Sequence, residues 1–303
     1  MVKHSRIAIV GAGSVGAAIA YACMLRGVPA ELVLVDIVED AVRGQVLDLS
    51  DASFVANVRI RQGSFQDAGQ ADIIIITAGA KQKPGESRIE LIARNNAILK
   101  SCISSMSPLN PHAIMLIVAN PVDVLTALAQ RLSGLPPQQV FGSGTFLDSE
   151  RLRVYIADKL KVSETSVHAF ALGEHGDSQF IAWSAARVGG VPVLSFPEFK
   201  NVDLNAVQKA IARKAYEIIS LKGATYFGIG ACCASLCLSI LNDTKSVRPL
   251  SVYSEKHGVC YAWPCVVGKE GIQRRLDLEL SQEENAALEA SAKSLKEILE
   301  QYA

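Results

Sequence analysis

From residue 6 to about residue 144 the chain alternates short apolar runs with longer segments whose apolar positions recur at helical spacing. The runs are "RIAIVGAG", "ELVLVD", "VRIR", "ADIIIITAG", "AIMLIVANP" and "VFGSG". A strand with one face in water alternates apolar and polar side chains, whereas a strand covered on both faces is apolar throughout. Runs of the second kind, separated by helical segments, predict βαβ units and a parallel, doubly wound α/β sheet. After Gly144 the pattern changes to longer helices, "DSERLRVYIADKL" and "NAVQKAIARKAYEIISLKG", mixed with hairpin-like stretches such as "GVCYAWPCVVGKEGI". That predicts a separate α+β unit, with a boundary near 142 to 146 dividing the chain into domains 1–143 and 144–303. The tail opens with a capping box, Ser281 to Glu284, and spaces Leu288, Leu295 and Leu299 along one helical face.

Half of the 303 residues are apolar, enough to bury a large core. The thirty acidic and thirty basic residues balance without blocks of like charge, so no electrostatic footprint for nucleic acid or a membrane surface is present. A protein that handles small molecules fits better. The seven cysteines are odd in number and contain no C-x-x-C, which indicates neither a disulfide framework nor a zinc site; no metal is expected. A reducing, cytoplasmic setting is the simplest reading, and the sequon at Asn242 carries no meaning there. The apolar run "IGACCASLCLSIL" falls short of the ~20 residues of a spanning helix and reads as a buried one. The run from Val15 to Leu25 has the look of a signal-peptide core, but it begins inside a glycine motif with a better explanation.

That motif is "VGAGSVG", which places Gly11, Gly13 and Gly16 as G-x-G-x-x-G between a strand and a helix. Gly11 permits the tight turn, Gly13 lets the backbone approach a pyrophosphate, and Gly16 lets helix and strand pack closely. Asp36 ends the second strand, where a carboxylate binds the adenosine ribose hydroxyls and repels a 2′-phosphate. A Rossmann domain that binds NAD in preference to NADP is predicted.

Two later stretches carry ionisable groups. In "GTFLDSERLRVY" Asp148 and Arg151 lie three apart at a helix start and share a face; in "HAFALGEHGDSQ" His175 sits among glycines in a polar loop. Singly, these residues serve as helix cap, surface ion pair and loop residue. Together they suggest a site, because an aspartate behind an imidazole fixes its tautomer and an arginine fork binds a carboxylate. A third stretch, "KQKPGESR" at 81–88, is longer and more charged than a tight turn after "ADIIIITAGA" requires, which points to a functional loop.

The motifs "GAGSVG", "TAGAKQKPGESR", "VANPVD", "LDSERLR", "GEHGD" and "KGATYFGIG", in this order, resemble the L-lactate dehydrogenases of the lactate/malate dehydrogenase family nearly end to end. The resemblance implies that His175 donates and accepts the proton, Asp148 orients it, Arg151 clamps the substrate carboxylate and Arg88 polarises the carbonyl. It implies that Asn120 bonds near the substrate oxygen and nicotinamide, and that Thr225 and Ile229 line the pocket and the nicotinamide face. The cofactor set it implies is Gly11, Gly13, Ser14, Val15, Gly16, Asp36, Thr77, Ala78, Gly79, Val118, Asn120 and Ile229. A hydride from the nicotinamide loads negative charge on a ketone oxygen, which a protonated imidazole beside an arginine complements. Arg88, next to Pro84-Gly85, would then ride on a closing lid.

In the same family malate dehydrogenases carry arginine where this chain has Gln82. Burying oxaloacetate's second carboxylate against an amide costs about 3 to 5 kcal/mol, which favours pyruvate and lactate. The alternatives are a malate dehydrogenase or broad 2-ketoacid reductase on the same scaffold, which residue 82 separates, and an NAD-sensing protein without turnover. The intact set of His175, Asp148, Arg151 and Arg88 speaks against the latter. Arg153 and His168 match positions that bind an interface anion in members activated by fructose 1,6-bisphosphate, although plain ion pairing or capping is the preferred reading. The short start before the first strand lacks the arm that braces vertebrate tetramers, so a homo-oligomer, dimer or arm-free tetramer, is expected.

Overall fold

A computed structural model of the protein describes residues 5–56, 58–80, 85 and 88–302, Arg88 by its backbone alone. The predicted alternation is present. In chain order come β1 (Ser5–Val10), α1 (Ser14–Leu25), β2 (Ala30–Val35), α2 (Glu39–Asp51), β3 (Ile60–Gln62), α3 (Phe65–Gly69), β4 (Ile73–Ile76), α4 (Arg88–Met106), β5 (Ile114–Ile117), α5 (Val122–Ser133) and β6 (Val140–Gly142). These strands pair in parallel in the order β6-β5-β4-β1-β2-β3. Every residue of β4 and β5 is buried, as strands covered on both faces require. The segment "VRIR" forms a strand only from Ile60 onward, because its ladder with β2 runs from Ile60 to Gln62 while Val58 packs into the core ahead of it.

The second half continues with α6 (Phe146–Leu160), five two-residue strands β7 (Val167–His168), β8 (Ala171–Leu172), β9 (Phe180–Ile181), β10 (Arg187–Val188) and β11 (Val191–Pro192), and then α7 (Leu204–Lys222) and α8 (Phe227–Leu241). It ends with the antiparallel strands β12 (Ser246–Ser254), β13 (Val259–Gly268) and β14 (Gly271–Arg275), and α9 (Gln282–Leu299). The hairpin and the long helices are as predicted, and the sheet of the first half runs on into this half. Strand β12 pairs with β6 through Ser251 and Gly142 and extends the first sheet to nine strands. A Cβ on Gly142 would lie 2.4 Å from Thr126 Oγ1 and 2.9 Å from Ser251 Cβ, so the absence of a side chain permits the join. Strand β12 was not visible in the pattern because Pro249 interrupts it; Pro249 stands opposite Pro264, so the two residues that lack an N–H face each other.

Helix α9 carries both bonds of its capping box: Glu284 N donates to Ser281 Oγ (3.2 Å) and Ser281 N to Glu284 Oε2 (3.0 Å). Its Leu288, Leu295 and Leu299 are buried. Just beyond it, the Tyr302 hydroxyl donates to the Ile89 carbonyl in the first turn of α4. Helix α8 buries Cys232, Cys233 and Cys237 and packs on α1, where a Cβ on Gly230 would come within 2.9 Å of the Ala18 carbonyl oxygen. All seven cysteines are buried and none is in a disulfide. Among the described residues no helix is long and apolar enough to cross a membrane, and no cluster of side chains suits a metal ion.

Candidate active site

In an open α/β sheet the ligand crevice lies beyond the carboxyl ends of the strands where their order reverses, here between β1 and β4. Gly11 turns the chain there at φ +108°, a conformation that suits glycine, and a Cβ would lie 2.5 Å from Thr77 Oγ1. Gly16 packs α1 against β1 so closely that a Cβ would meet the Gly11 carbonyl oxygen at 1.9 Å. A Cβ on Gly13 would touch nothing within 4 Å; it would occupy the space through which a pyrophosphate reaches the backbone. Gly13 and Ser14 are exposed at the start of α1, with Val15 half-buried behind them.

Asp36 follows β2 and ties the glycine turn down: Ala12 N donates to its Oδ2 (2.7 Å) and Val38 N to its Oδ1 (3.2 Å). From β4, Thr77 Oγ1 donates to the Gly11 carbonyl (2.9 Å), and Ala78 N donates to the Val10 carbonyl. Gly79, Val118 and Asn120 follow the ends of β4 and β5, so these members of the predicted cofactor set lie with the glycine turn at the carboxyl ends of the strands. Asn95 on α4 was missed. Buried at 2% exposure, it accepts from Ala80 N (2.7 Å) and donates to the Asn120 carbonyl (2.7 Å), bracing the loops after β4 and β5 against each other. A lone asparagine in an amphipathic helix gives no sequence signal for this.

The ionisable constellation also assembles. Asp148, in the first turn of α6 and buried, places Oδ2 at 2.8 Å from His175 Nδ1 and accepts from Arg151 at Oδ1 (3.1 Å). Hydrogen bonds hold the start of α6 against β8: Thr145 Oγ1 donates to the Ala171 carbonyl and Ala171 N donates to Ser149 Oγ. The His175 loop is fastened from two sides and braced within. Its His175 N donates to Asp123 Oδ2 (2.7 Å), its Glu174 N to Ser291 Oγ of α9 (2.8 Å), and its Ser178 Oγ to Glu174 Oε2 (2.6 Å). The imidazole itself is 31% exposed.

Burial works against charge on Asp148, yet the positive charge and hydrogen bond of His175, followed by Arg151, outweigh it and hold the carboxyl below its usual range. Burial likewise disfavours the imidazolium, but the charge and hydrogen bond of Asp148, then the charge of Asp123, raise the His175 pKa. The arrangement is an imidazole poised to carry a proton, beside a guanidinium suited to an anion.

The sequence profile of the lactate/malate dehydrogenase NAD-binding domain matches residues 5–142, and that of the lactate/malate dehydrogenase α/β C-terminal domain matches residues 145–303. The chain belongs to the lactate/malate dehydrogenase family. Among curated relatives of this family, L-lactate dehydrogenase A of Rhizopus oryzae is 54% identical over 98% of this chain and 93% of its own length. L-lactate dehydrogenase of Lacticaseibacillus casei is 41% identical over 98% and 94%. Among solved structures, the minor L-lactate dehydrogenase of Enterococcus mundtii superposes with a TM-score of 0.94 at 36% identity, covering 99% of each chain. NAD is the cofactor of the dehydrogenase domain, and the three glycines and Asp36 fit it.

Other predicted positions of the dehydrogenase scaffold are placed less completely. Thr225 is half-buried just ahead of α8, and Ile229 packs from α8 against the core. The α8 start lies over α6, with a Cβ on Gly228 only 2.9 Å from Leu147 Cδ1, next to Asp148. Arg153 pairs with Glu150 (2.9 Å), donates to the Ala169 carbonyl and covers the Phe170 ring; His168 is exposed on β7. Gln82 and the side chain of Arg88 lie outside the described residues. Asp123 stands in the motif "VANPVD", where the sequence carried the signal but not its meaning.

Proposed function

We propose that the chain works as an NAD-dependent L-lactate dehydrogenase, reversibly reducing pyruvate to L-lactate, with residues 1–143 binding the cofactor and 144–303 supplying the acid-base centre. The observation that carries this reading is the Asp148 carboxylate shared by the His175 imidazole and the Arg151 guanidinium. The names of the relatives support lactate over malate.

When bound, the nicotinamide cofactor supplies the hydride as NADH in reduction and accepts it as NAD+ in oxidation. The chain supplies position and charge. Asp148 takes up Nδ1 of His175, which leaves Nε2 as the atom that gives a proton to the growing alkoxide in reduction and takes it back in oxidation. Arg151 offers its remaining N–H groups to the substrate carboxylate, and because Asp148 holds one edge of the guanidinium, the fork is pre-aimed. Arg88 begins α4 and is assigned to the carbonyl oxygen, Gln82 to the substrate's methyl end, and Asn120 and Thr225 to the walls of the pocket.

The test is an NADH-linked assay across pyruvate, oxaloacetate, phenylpyruvate and 2-ketobutyrate. Pyruvate should be turned over best, and His175→Asn should abolish turnover while NADH still binds; oxaloacetate as the best substrate would overturn the assignment. A cytoplasmic homo-oligomer, dimer or tetramer, is part of the same proposal. The Arg153–Glu150 ion pair supports the plain structural reading of Arg153 over an allosteric one. A flat rate on titrating fructose 1,6-bisphosphate at low pyruvate is therefore expected, and a rise would reinstate Arg153 and His168 as an anion site.

A further inference from the structure

Ser291, in the middle of α9, is fully buried and stands against the turn that leads into the His175 loop. Gly173 makes that turn at φ +84°, and a Cβ on it would lie 2.9 Å from Ser291 Oγ and 3.3 Å from Ser291 Cβ, so helix and turn meet with no room for a side chain between them. A hydroxyl buried at such a contact is costly unless its bonds are made. They are made, and they run in one direction. Ser178 has a single proton and gives it to Glu174 Oε2 (2.6 Å), so in its contact with Ser291 Oγ (3.0 Å) it can only accept. Ser291 therefore donates to Ser178 and, with a lone pair, accepts from Glu174 N (2.8 Å). The path leaves the main chain of Glu174, crosses two hydroxyls and returns to the side chain of the same residue. A Cβ on Gly176 would lie 3.2 Å from Glu174 Cδ, so the backbone is wound closely about that carboxylate. The circuit closes over residues 174–178, and His175 lies inside that span.

We infer that Ser178 and Ser291 are positioning residues for His175: through the hydroxyl circuit, α9 fixes the loop so that the imidazole stands where it exchanges a proton with the substrate oxygen. The inference rests on the proposed dehydrogenase reading and deepens it. The bonds of the two serines go to the loop, while Nδ1 of the imidazole is taken by Asp148. They act on its place and not on its charge. Hydrogen bonds in series polarise one another, most strongly where the last acceptor is a carboxylate, so loss of either hydroxyl weakens every bond of the circuit and not one alone.

Ser291→Ala and Ser178→Ala each open the circuit. In either variant kcat for pyruvate reduction should fall about 10-fold, with KM for NADH and the pH midpoint of reduction unchanged. The primary isotope effect with NADH deuterated at the transferred hydrogen should rise, because a misplaced imidazole slows the chemistry relative to product release. The double alanine variant should lose no more than the worse single one, since a circuit opens once. Parent-like kcat and isotope effect in both single variants, with only a lowered melting temperature, would reduce the serines to structural residues and overturn the inference; multiplicative losses in the double variant would overturn it as well. Should Ser291→Ala not fold, Ser178→Ala, at the half-buried end of the circuit, decides by the same kcat and isotope effect. Hydrogen exchange, read by mass spectrometry, needs no substrate. Exchange of residues 174–178 should quicken at least about tenfold in the alanine variants while that of β4 and β5 stays as in the parent, and unchanged exchange in the loop also sinks the inference. Failure of the parent protein to reduce pyruvate would count against the proposed function, whereas the exchange would still decide whether the two serines hold the loop.

Discussion

At the scale of single residues, proton affinity is set by opposed effects, and at this site the partners win over burial. Asp148 is held ionised and His175 is biased toward its protonated form. Reduction of a ketone consumes the imidazolium, which is populated below the raised pKa and lost as pH rises through it; oxidation needs the neutral ring and gains over the same interval. Asp148→Asn removes the main support of the imidazolium. The reductive limb of the pH–rate profile should move to lower pH and kcat should fall by about 10²- to 10³-fold, measured by steady-state assays from pH 5 to 9. Gln82→Arg should shift preference toward oxaloacetate, and an unchanged pyruvate to oxaloacetate ratio would remove Gln82 as selector. Asp148 and Arg151 were legible because three residues of helix put them on one face. Asp123 was not legible as a partner of His175, since a contact across 52 residues follows from the fold and not from any spacing rule.

Elements were legible in proportion to how fully the core encloses them. The four isoleucines of β4 admit one reading, whereas β3 at the sheet edge slipped by two residues and β12, with Pro249, went unseen. The tight turn at Gly11 and the close packing of helix on strand at Gly16 were legible from the glycine spacing. Gly16→Ala forces a methyl group onto the Gly11 carbonyl oxygen, and overpacking of this kind costs about 1 to 3 kcal/mol. The variant should bind NADH at least tenfold more weakly by fluorescence titration, with a lower melting temperature; wild-type affinity would show that α1 and β1 separate without cost to the cofactor site.

For the molecule as a whole, the second half does not stand beside the first sheet but completes it, a relation that no local pattern encodes. Because β12 pairs with β6 and Asp123 bonds across to both β12 and the His175 loop, the two halves share the larger hydrophobic core, while a smaller one around Leu152, Trp183 and Phe199 belongs to the second half alone. A single calorimetric unfolding transition is expected, moving as a unit when Gly142→Ala crowds the join; two resolved transitions would show that the halves unfold independently.

The deep burial of every native thiol has a practical consequence for labelling the 81–87 segment. Burial keeps Cys102 up at about 11 and Cys232 and Cys265 up at about 12, so reactive thiolate is scarce near neutral pH and shielded where it forms. A maleimide dye offered to the folded protein should leave the parent unlabelled and mark Ser87→Cys alone, giving a fluorescent reporter beside Arg88 with no native cysteine removed.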